Sequence, residues 1–338
     1  MTLTPDQLDR VLGAVLGSAV GDALGVPYEF RRPVLADNEY AEMIGGGLGD
    51  YAPGEWSDDT SMAVPILEVV ATGADLSSDD ALDAVAAGFL RWYDDFSGDP
   101  PDIGNQTRAV LAATRHRLDT EPGGRPGVVM RAESLAFAEA HPRSAGNGAL
   151  MRTTPVALAH LDDREDLARS ARMIAELTHA DVFAADSCVL WCEAIRVAIL
   201  DGHIDIRAGV DLIDDNRRSR WRQWLDSLHS DDPKSFSPNG YTVTALQAAG
   251  SAIIGTTRDD PSHLPDALHA AIRIGDDTDT VAAIAGGLLG ARWGAKAIPD
   301  EWRFAVHGWP LRAHGPTTAQ DLTDLVHQQR RYAVRGIE

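Results

Sequence analysis

Apolar residues in this chain recur at helical spacing almost from end to end. Leu8, Val11, Leu12, Val15 and Leu16 repeat at steps of three and four behind Thr4 and Pro5, which read as an N-cap and a first helical residue. The same period predicts further helices over about residues 60–72, 79–95, 105–118, 131–140, 164–177, 180–200, 206–227, 240–254, 264–272, 279–293 and 318–334. Alternating strand patterns bounded by turn residues are almost absent, so an all-α fold is expected in place of a mixed one. The longest early break, 33–54, ends in GGGLGDYAPG and reads as a loop bordering a site. Breaks at 119–127 and 229–240 lack the length and low complexity of linkers, so residues 1–338 read as one domain without internal repeats.

Composition narrows the function classes. With 44% hydrophobic residues and a mean hydropathy of -0.18, the chain has ample apolar material for a core and lies outside the regime of disorder. Its 30 basic and 51 acidic residues give a net charge of -21, a field that repels nucleic acid and anionic lipid and disfavours direct duplex binding, although acidity of this kind also serves solubility alone. No basic, apolar leader precedes the first helix, and no window is read as approaching the roughly 18 uncharged apolar residues of a membrane span, so a cytoplasmic protein is expected. The two cysteines, Cys188 and Cys192, share one helix face and are expected to be small core residues, because no histidine or further cysteine completes a zinc set. Trp221, Trp224, Trp302 and Trp309 are expected to pack in the fold ahead of stacking on a ligand.

Several polar clusters interrupt apolar helices. WSDDTSM sets Ser57, Asp58, Asp59 and Thr60 before MAVPILEVV, and by itself this admits both helix capping and ion ligation. In IGDDTDTVAAIAGGLLGA, Asp276, Asp277 and Asp279, with Thr278 and Thr280, precede a helix so rich in alanine, glycine and aliphatic residues that it must be buried. Three carboxylates there repel one another and are driven towards protonation unless a cation neutralises them. Oxygen donors without His or Cys select Mg²⁺, Mn²⁺ or Ca²⁺ over zinc, while the absence of D-x-[DN]-x-[DN]-G spacing argues against an EF-hand. GSAVGDALGVPYEF permits close helix packing and ends at Glu29, which alone says little. SAGNGALMR places Gly146, Asn147 and Gly148 ahead of Arg152, offering backbone amides and a cation to a pyrophosphate, without the ending of a P-loop. His179, in THAD, is open to ligand contact or to an interhelical polar contact.

Taken in order, GDALGVPYEF, WSDDTSMAV, GNGALMR, LTHAD and GDDTDTVAAIAGGLLGA resemble the ADP-ribosylglycohydrolase family over roughly residues 10–295. That family includes dinitrogenase reductase-activating glycohydrolases and ADP-ribosylarginine hydrolases. The resemblance implies a compact orthogonal multi-helix bundle with a central cleft and two Mg²⁺ or Mn²⁺ ions. Carried over, Ser57, Asp58, Asp59, Asp277, Asp279 and Thr280 would be metal ligands, and Glu29 would lie at the metal cleft. Two departures stand out: Ser57 replaces a commoner threonine, and Asp276 a frequent glycine.

The implied reaction is hydrolysis of the glycosidic bond of an ADP-ribosylated protein or small-molecule conjugate, through an oxocarbenium-like state, releasing ADP-ribose. Glu29 and Asp59 are the candidates for the catalytic base. The 146–148 loop and Arg152 would receive the pyrophosphate, and His179 the phosphate or proximal ribose. Asp102, in PPDIGNQTR, reads either as a bidentate partner for the guanidinium of ADP-ribosylarginine or as an N-cap. Serine-linked and O-acetyl-ADP-ribose remain alternative substrates. A non-catalytic ADP-ribose-binding or structural protein, as in some lens crystallins that resemble the family, is the alternative of another class, and the retained carboxylates argue against it.

Overall fold

The computed structural model describes residues 2–30, 35, 36 and 38–335, with side chains described to residue 329. The helices are α1 (Pro5–Gly25), α2 (Asp58–Ala71), α3 (Asp79–Asp95), α4 (Asn105–Thr120), α5 (Pro126–Ala140), α6 (Thr154–Ala159), α7 (Arg164–Glu176), α8 (Val182–Asp201), α9 (Asp215–Asp226), α10 (Thr242–Gly255), α11 (His263–Ile274), α12 (Thr278–Trp293), α13 (Asp300–Ala305) and α14 (Ala319–Arg335). One antiparallel hairpin, β1 (His307–Arg312) with β2 (Gly315–Thr318), interrupts the all-α architecture.

The axis of the fold is the α1–α12 pair. α1 starts at a capping box, in which Gln7 N–H donates to Thr4 Oγ1 at 3.2 Å and Thr4 N–H to Gln7 Oε1 at 2.9 Å. Glycines four residues apart then line one face of α1 and meet glycines of α12. A Cβ on Gly17 would stand 2.3 Å from the Gly286 carbonyl oxygen, and one on Gly290 only 1.8 Å from that of Gly13. The two backbones therefore touch, and a Cβ on Gly25 would lie 2.4 Å from Asp279 Cα, so this contact carries the end of α1 to the start of α12. Around the axis, buried side chains form one apolar cluster that includes Val11, Trp56, Trp92, Trp191, Trp221, Leu288 and Val326.

Several expectations need correction. Pro5–Tyr28 is long and apolar enough to cross a membrane by length and composition, contrary to the reading that no window comes close. As a central core helix, it has 94% of that apolar window buried in the fold. The single helix expected over about 206–227 is broken: a short 3-10 turn covers Val210–Leu212, and Ile213 and Asp214 are extended before α9. α5 begins at Pro126, ahead of the apolar period, because proline suits the first turn. α6, α13 and the hairpin escaped notice because each is too short to establish a period. Part of the 33–54 loop (residues 33, 34 and 37) lies outside the described residues; its later part folds into a turn closed by the Gly46–Tyr51 bridge.

Cys188 and Cys192 are buried, free thiols on α8, and burial pushes Cys188 up to about 12. The tryptophans pack as expected: Trp221 Nε1–H donates to buried Asp186, Trp309 Nε1–H to Asp95, Trp224 packs on Trp221, and Trp302 packs on His269.

Candidate active site

Two helix N-termini face each other across the end of α1. Ser57 caps α2, and its hydroxyl donates to Asp59 Oδ2 at 2.9 Å. Asp22 of α1 holds this terminus in place by accepting from Ser57 N–H at 2.8 Å, Thr60 N–H at 2.9 Å and Thr60 Oγ1 at 2.6 Å. Opposite, Asn239 Oδ1 accepts from Asp277 N–H at 3.0 Å and Asn147 Nδ2 donates to Asp277 Oδ2 at 2.7 Å, fixing the start of α12. Thr280 Oγ1 reaches across to Asp59 Oδ2 at 3.3 Å.

The carboxylates form two overlapping triads. Oxygens of Asp22, Asp59 and Asp279 lie within 4.8 Å of one another, as do those of Glu29, Asp277 and Asp279. Asp279 belongs to both. Burial, followed by the neighbouring carboxylates, raises Asp58, Asp59 and Asp279 well above the usual carboxylate range; burial also raises Asp277, and pushes Asp22 up to about 6. Asp59 Oδ1 is buried with no hydrogen-bond partner among the described residues. Glu29 and Asp102 both line the cleft; burial first, then Asp102, pushes Glu29 up to about 11. Glu29 Oε2 and Asp102 Oδ2 are likewise buried without a hydrogen-bond partner among the described residues. Crowded, desolvated oxygen donors with unsatisfied lone pairs fit hard divalent cations, which would remove both the repulsion and the unsatisfied acceptors.

A cleft of about 570 Å³ opens onto the outer triad, lined by Glu29, Asp58, Asp102, Asp277, Asp279 and Thr280. Its other wall holds Gly146, Asn147, Gly148 and His179, and the N-terminus of α4 from Gly104 to Thr107. Gly104 supplies no side-chain cap, so the positive end of α4 faces the cleft. Exposed Phe30 and Leu48 stand at the rim.

The placement bears on five of the expected residues. Asp59 is 1% exposed and lies inside the cluster, whereas its neighbour Asp58 reaches the cleft, so Asp59 is badly placed to act on a water that attacks a substrate. Ser57 is fully buried with its hydroxyl beside Asp59 Oδ2, within the carboxylate cluster where a ligand role would place it. Arg152, expected to meet an anion, is fully buried behind the cleft wall: Nη1 donates to the Gly148 carbonyl at 2.8 Å and Nη2 to Thr178 Oγ1 at 2.7 Å. Asn147 lines the cleft, but its amide nitrogen is spent on Asp277 and on the Asn239 carbonyl. For Asp102 the capping alternative drops out, because Gly104 is the N-cap and the Asp102 carboxyl lies in the cleft.

Asp22, Asn239 and the α4 terminus were not anticipated. Asp22 did leave a signal, a lone charge among the glycines and alanines of a helix that had to be buried; Asn239 left none.

The family described as ADP-ribosylglycohydrolase matches residues 3–333. An ADP-ribosylarginine hydrolase Tri1 from Pseudomonas putida (strain GB-1) is 32% identical, over 97% of this chain and 81% of that protein. The ADP-ribosyl-[dinitrogen reductase] glycohydrolase of Rhodospirillum rubrum is 29% identical, over 88% and 90%. A solved structure, an ADP-ribosylglycohydrolase-related protein complex, superposes with a TM-score of 0.68 at 28% identity, covering 98% of this chain and all of the other. With its family pattern matched nearly end to end and its carboxylates gathered at one cleft, this chain belongs to the ADP-ribosylglycohydrolase family.

Proposed function

We propose that the protein hydrolyses the glycosidic bond between ADP-ribose and an arginine side chain of a modified protein, with two Mg²⁺ or Mn²⁺ ions, in the cytoplasm, where its two thiols stay reduced. The observation that carries this reading is the sharing of Asp279 by two carboxylate triads, the outer of which opens onto the cleft. Ser57, Asp58, Asp59, Asp277, Asp279 and Thr280 would hold the ions, with Glu29 at the outer edge. Bound there, divalent ions supply neutralising charge and Lewis acidity.

The protein's own groups divide the remaining work. Water attacks the anomeric carbon as the guanidine leaves with the electron pair of the broken bond, and Glu29, the least enclosed of the candidate bases, would accept the proton of that water, the charge of the ions holding it as a carboxylate. The surrounding carboxylates stabilise the positive charge developing on the ribose. Asp102 Oδ2, without a hydrogen-bond partner among the described residues, suits a planar guanidinium. The 146–148 turn, His179 and the α4 terminus would receive the pyrophosphate. Similarity to the arginine-linked hydrolase of Pseudomonas putida supports the linkage.

The test follows free ADP-ribose by mass spectrometry from arginine-, serine- and acetyl-linked substrates, with Mg²⁺ or EDTA. Release from arginine that needs metal and is lost in Asp277→Ala and Asp279→Ala is expected. Release only from another linkage would discard the arginine assignment, as would full arginine activity in a folded Asp102→Asn variant. Silence on every linkage would move the protein to a non-catalytic class.

A further inference from the structure

A fully buried cation is connected to the histidine that faces the cleft. Arg152 is sealed from solvent, with its guanidinium carbon 4.6 Å from the centre of the Phe89 ring. It donates to Thr178 Oγ1 at 2.7 Å, and Thr178 Oγ1 lies 2.8 Å from His179 Nδ1. A guanidinium has only donors, so the Thr178 oxygen must accept from it. The Thr178 hydroxyl hydrogen then needs an acceptor, and among the described residues the only one bonded to this hydroxyl is His179 Nδ1. If Nδ1 carried the proton instead, two donors would converge on one oxygen while the Thr178 hydrogen stayed unpartnered in the core. The direction of donation therefore runs from Arg152 to Thr178 to His179, and the ring proton sits on Nε2.

Nε2 is the edge that meets the cleft. It lies 3.1 Å from where a Cβ on Gly148 would stand and 3.3 Å from where one on Gly146 would, so the two glycines keep this edge clear. Burial, reinforced by Arg152, pushes His179 down to about 3, which keeps the ring neutral and the tautomer decisive. We propose that Arg152 and Thr178 are positioning residues that lock His179 as the Nε2–H tautomer, so that it presents a neutral hydrogen-bond donor to an anionic oxygen in the cleft. The opposite tautomer would present a lone pair and repel that oxygen. For the nature of the ligand, the proposal rests on the ADP-ribose reading above. It also accounts for an arginine that never touches the cleft: its charge polarises the hydroxyl that sets the ring.

The experiment uses the full ¹⁵N-labelled chain. Long-range proton–nitrogen correlation of the histidine rings identifies the tautomer of His179, assigned by its loss in His179→Gln, and calorimetry measures ADP-ribose affinity in the presence of Mg²⁺. The expected result is a single Nε2–H tautomer. Thr178→Val should lose it and bind ADP-ribose about tenfold more weakly, the scale of one neutral hydrogen bond. Thr178→Ser, which keeps the oxygen, should restore both. Because Thr178→Val leaves Arg152 short of an acceptor, its fold is checked by circular dichroism, and the wild-type tautomer alone decides the relay if that variant fails to fold. An Nδ1–H tautomer in the wild type overturns the proposal. So does ADP-ribose binding that is indifferent to both Thr178→Val and His179→Gln, an outcome that leaves the reading of the cleft standing. An Nε2–H tautomer in a wild type that binds no ADP-ribose upholds the relay and overturns the reading of the cleft.

Discussion

Phe30 N–H donates to the Asp276 carbonyl at 2.7 Å, and both residues are left-handed, with φ of 45° and 60°. This bond ties the turn that follows Glu29 to the turn that precedes Asp277, so it helps set the spacing between carboxylates from the two ends of the axis. Asp102, at φ 63°, is a third left-handed residue at the same cleft. Such backbone costs a residue with a Cβ about 1–2 kcal/mol, which explains why glycine suits position 276. Asp276→Gly is expected to change stability by less than about 1 kcal/mol, since losing the Ser237 hydroxyl contact offsets the backbone relief. Asp276→Val, a branched residue in the same conformation, should cost roughly 2 kcal/mol; urea unfolding of the pair separates backbone from side chain.

The glycine contact between α1 and α12 gives a sharper contrast. Gly290→Ala places a methyl group 1.8 Å from a backbone oxygen that no rotamer change can move, so the helices must separate. A loss of about 3 kcal/mol or more is expected, with a matching fall in thermal midpoint. Gly255, at the end of α10, has nothing within 4 Å of its would-be Cβ and no positive φ. Gly255→Ala should stabilise by roughly 0.5 kcal/mol through the unfolded chain.

Metal stoichiometry should follow the overlap of the triads. Titration calorimetry with Mn²⁺ is expected to find two ions in the wild type. Asp277→Ala removes one member of the outer triad and should leave one ion; Asp279→Ala strikes both and should leave none. Bound metal should also raise the thermal midpoint, by about 2.7 kcal/mol of stability at a hundredfold excess over the dissociation constant, and EDTA should reverse it. Two ions retained by Asp279→Ala would refute the shared-carboxylate arrangement.

How far the sequence reaches can be judged residue by residue. The Thr4 cap and the α1 period were legible because capping boxes and helical faces are local patterns. The two acidic clusters were legible because charge beside an obligately buried helix needs compensation, whatever the fold. Arg152 was misplaced because its partner Thr178 lies 26 residues away, and nothing in GNGALMR says which side of the loop the guanidinium takes. The contact of Asn147 with Asp277, across 130 residues, was beyond local reading for the same reason. Asp59 and Asp58 could be grouped but not told apart, since their division into inner and outer positions depends on where α1 lies.

His269 gives the last prediction, remote from the carboxylates of the cleft. Its Nδ1 accepts from Ala41 N–H at 3.1 Å, and its ring packs edge-on against Tyr40 and Trp302, pinning the 38–44 segment to α11. Burial, then the nearby Arg273, pushes this ring down to about 4, with Asp266 opposing weakly. The folded protein therefore needs His269 neutral, while the unfolded chain takes up a proton near 6.5. Stability from this group is complete above about pH 6.5 and is lost as the pH falls towards about 4, because over that window the unfolded state binds more protons. The wild type should accordingly lose more of its urea midpoint between about pH 7 and about pH 5 than His269→Gln does, although the variant starts lower. Equal losses in the two proteins would mean that the ring is already protonated in the fold, and that the Ala41 hydrogen bond does not govern the docking of this segment.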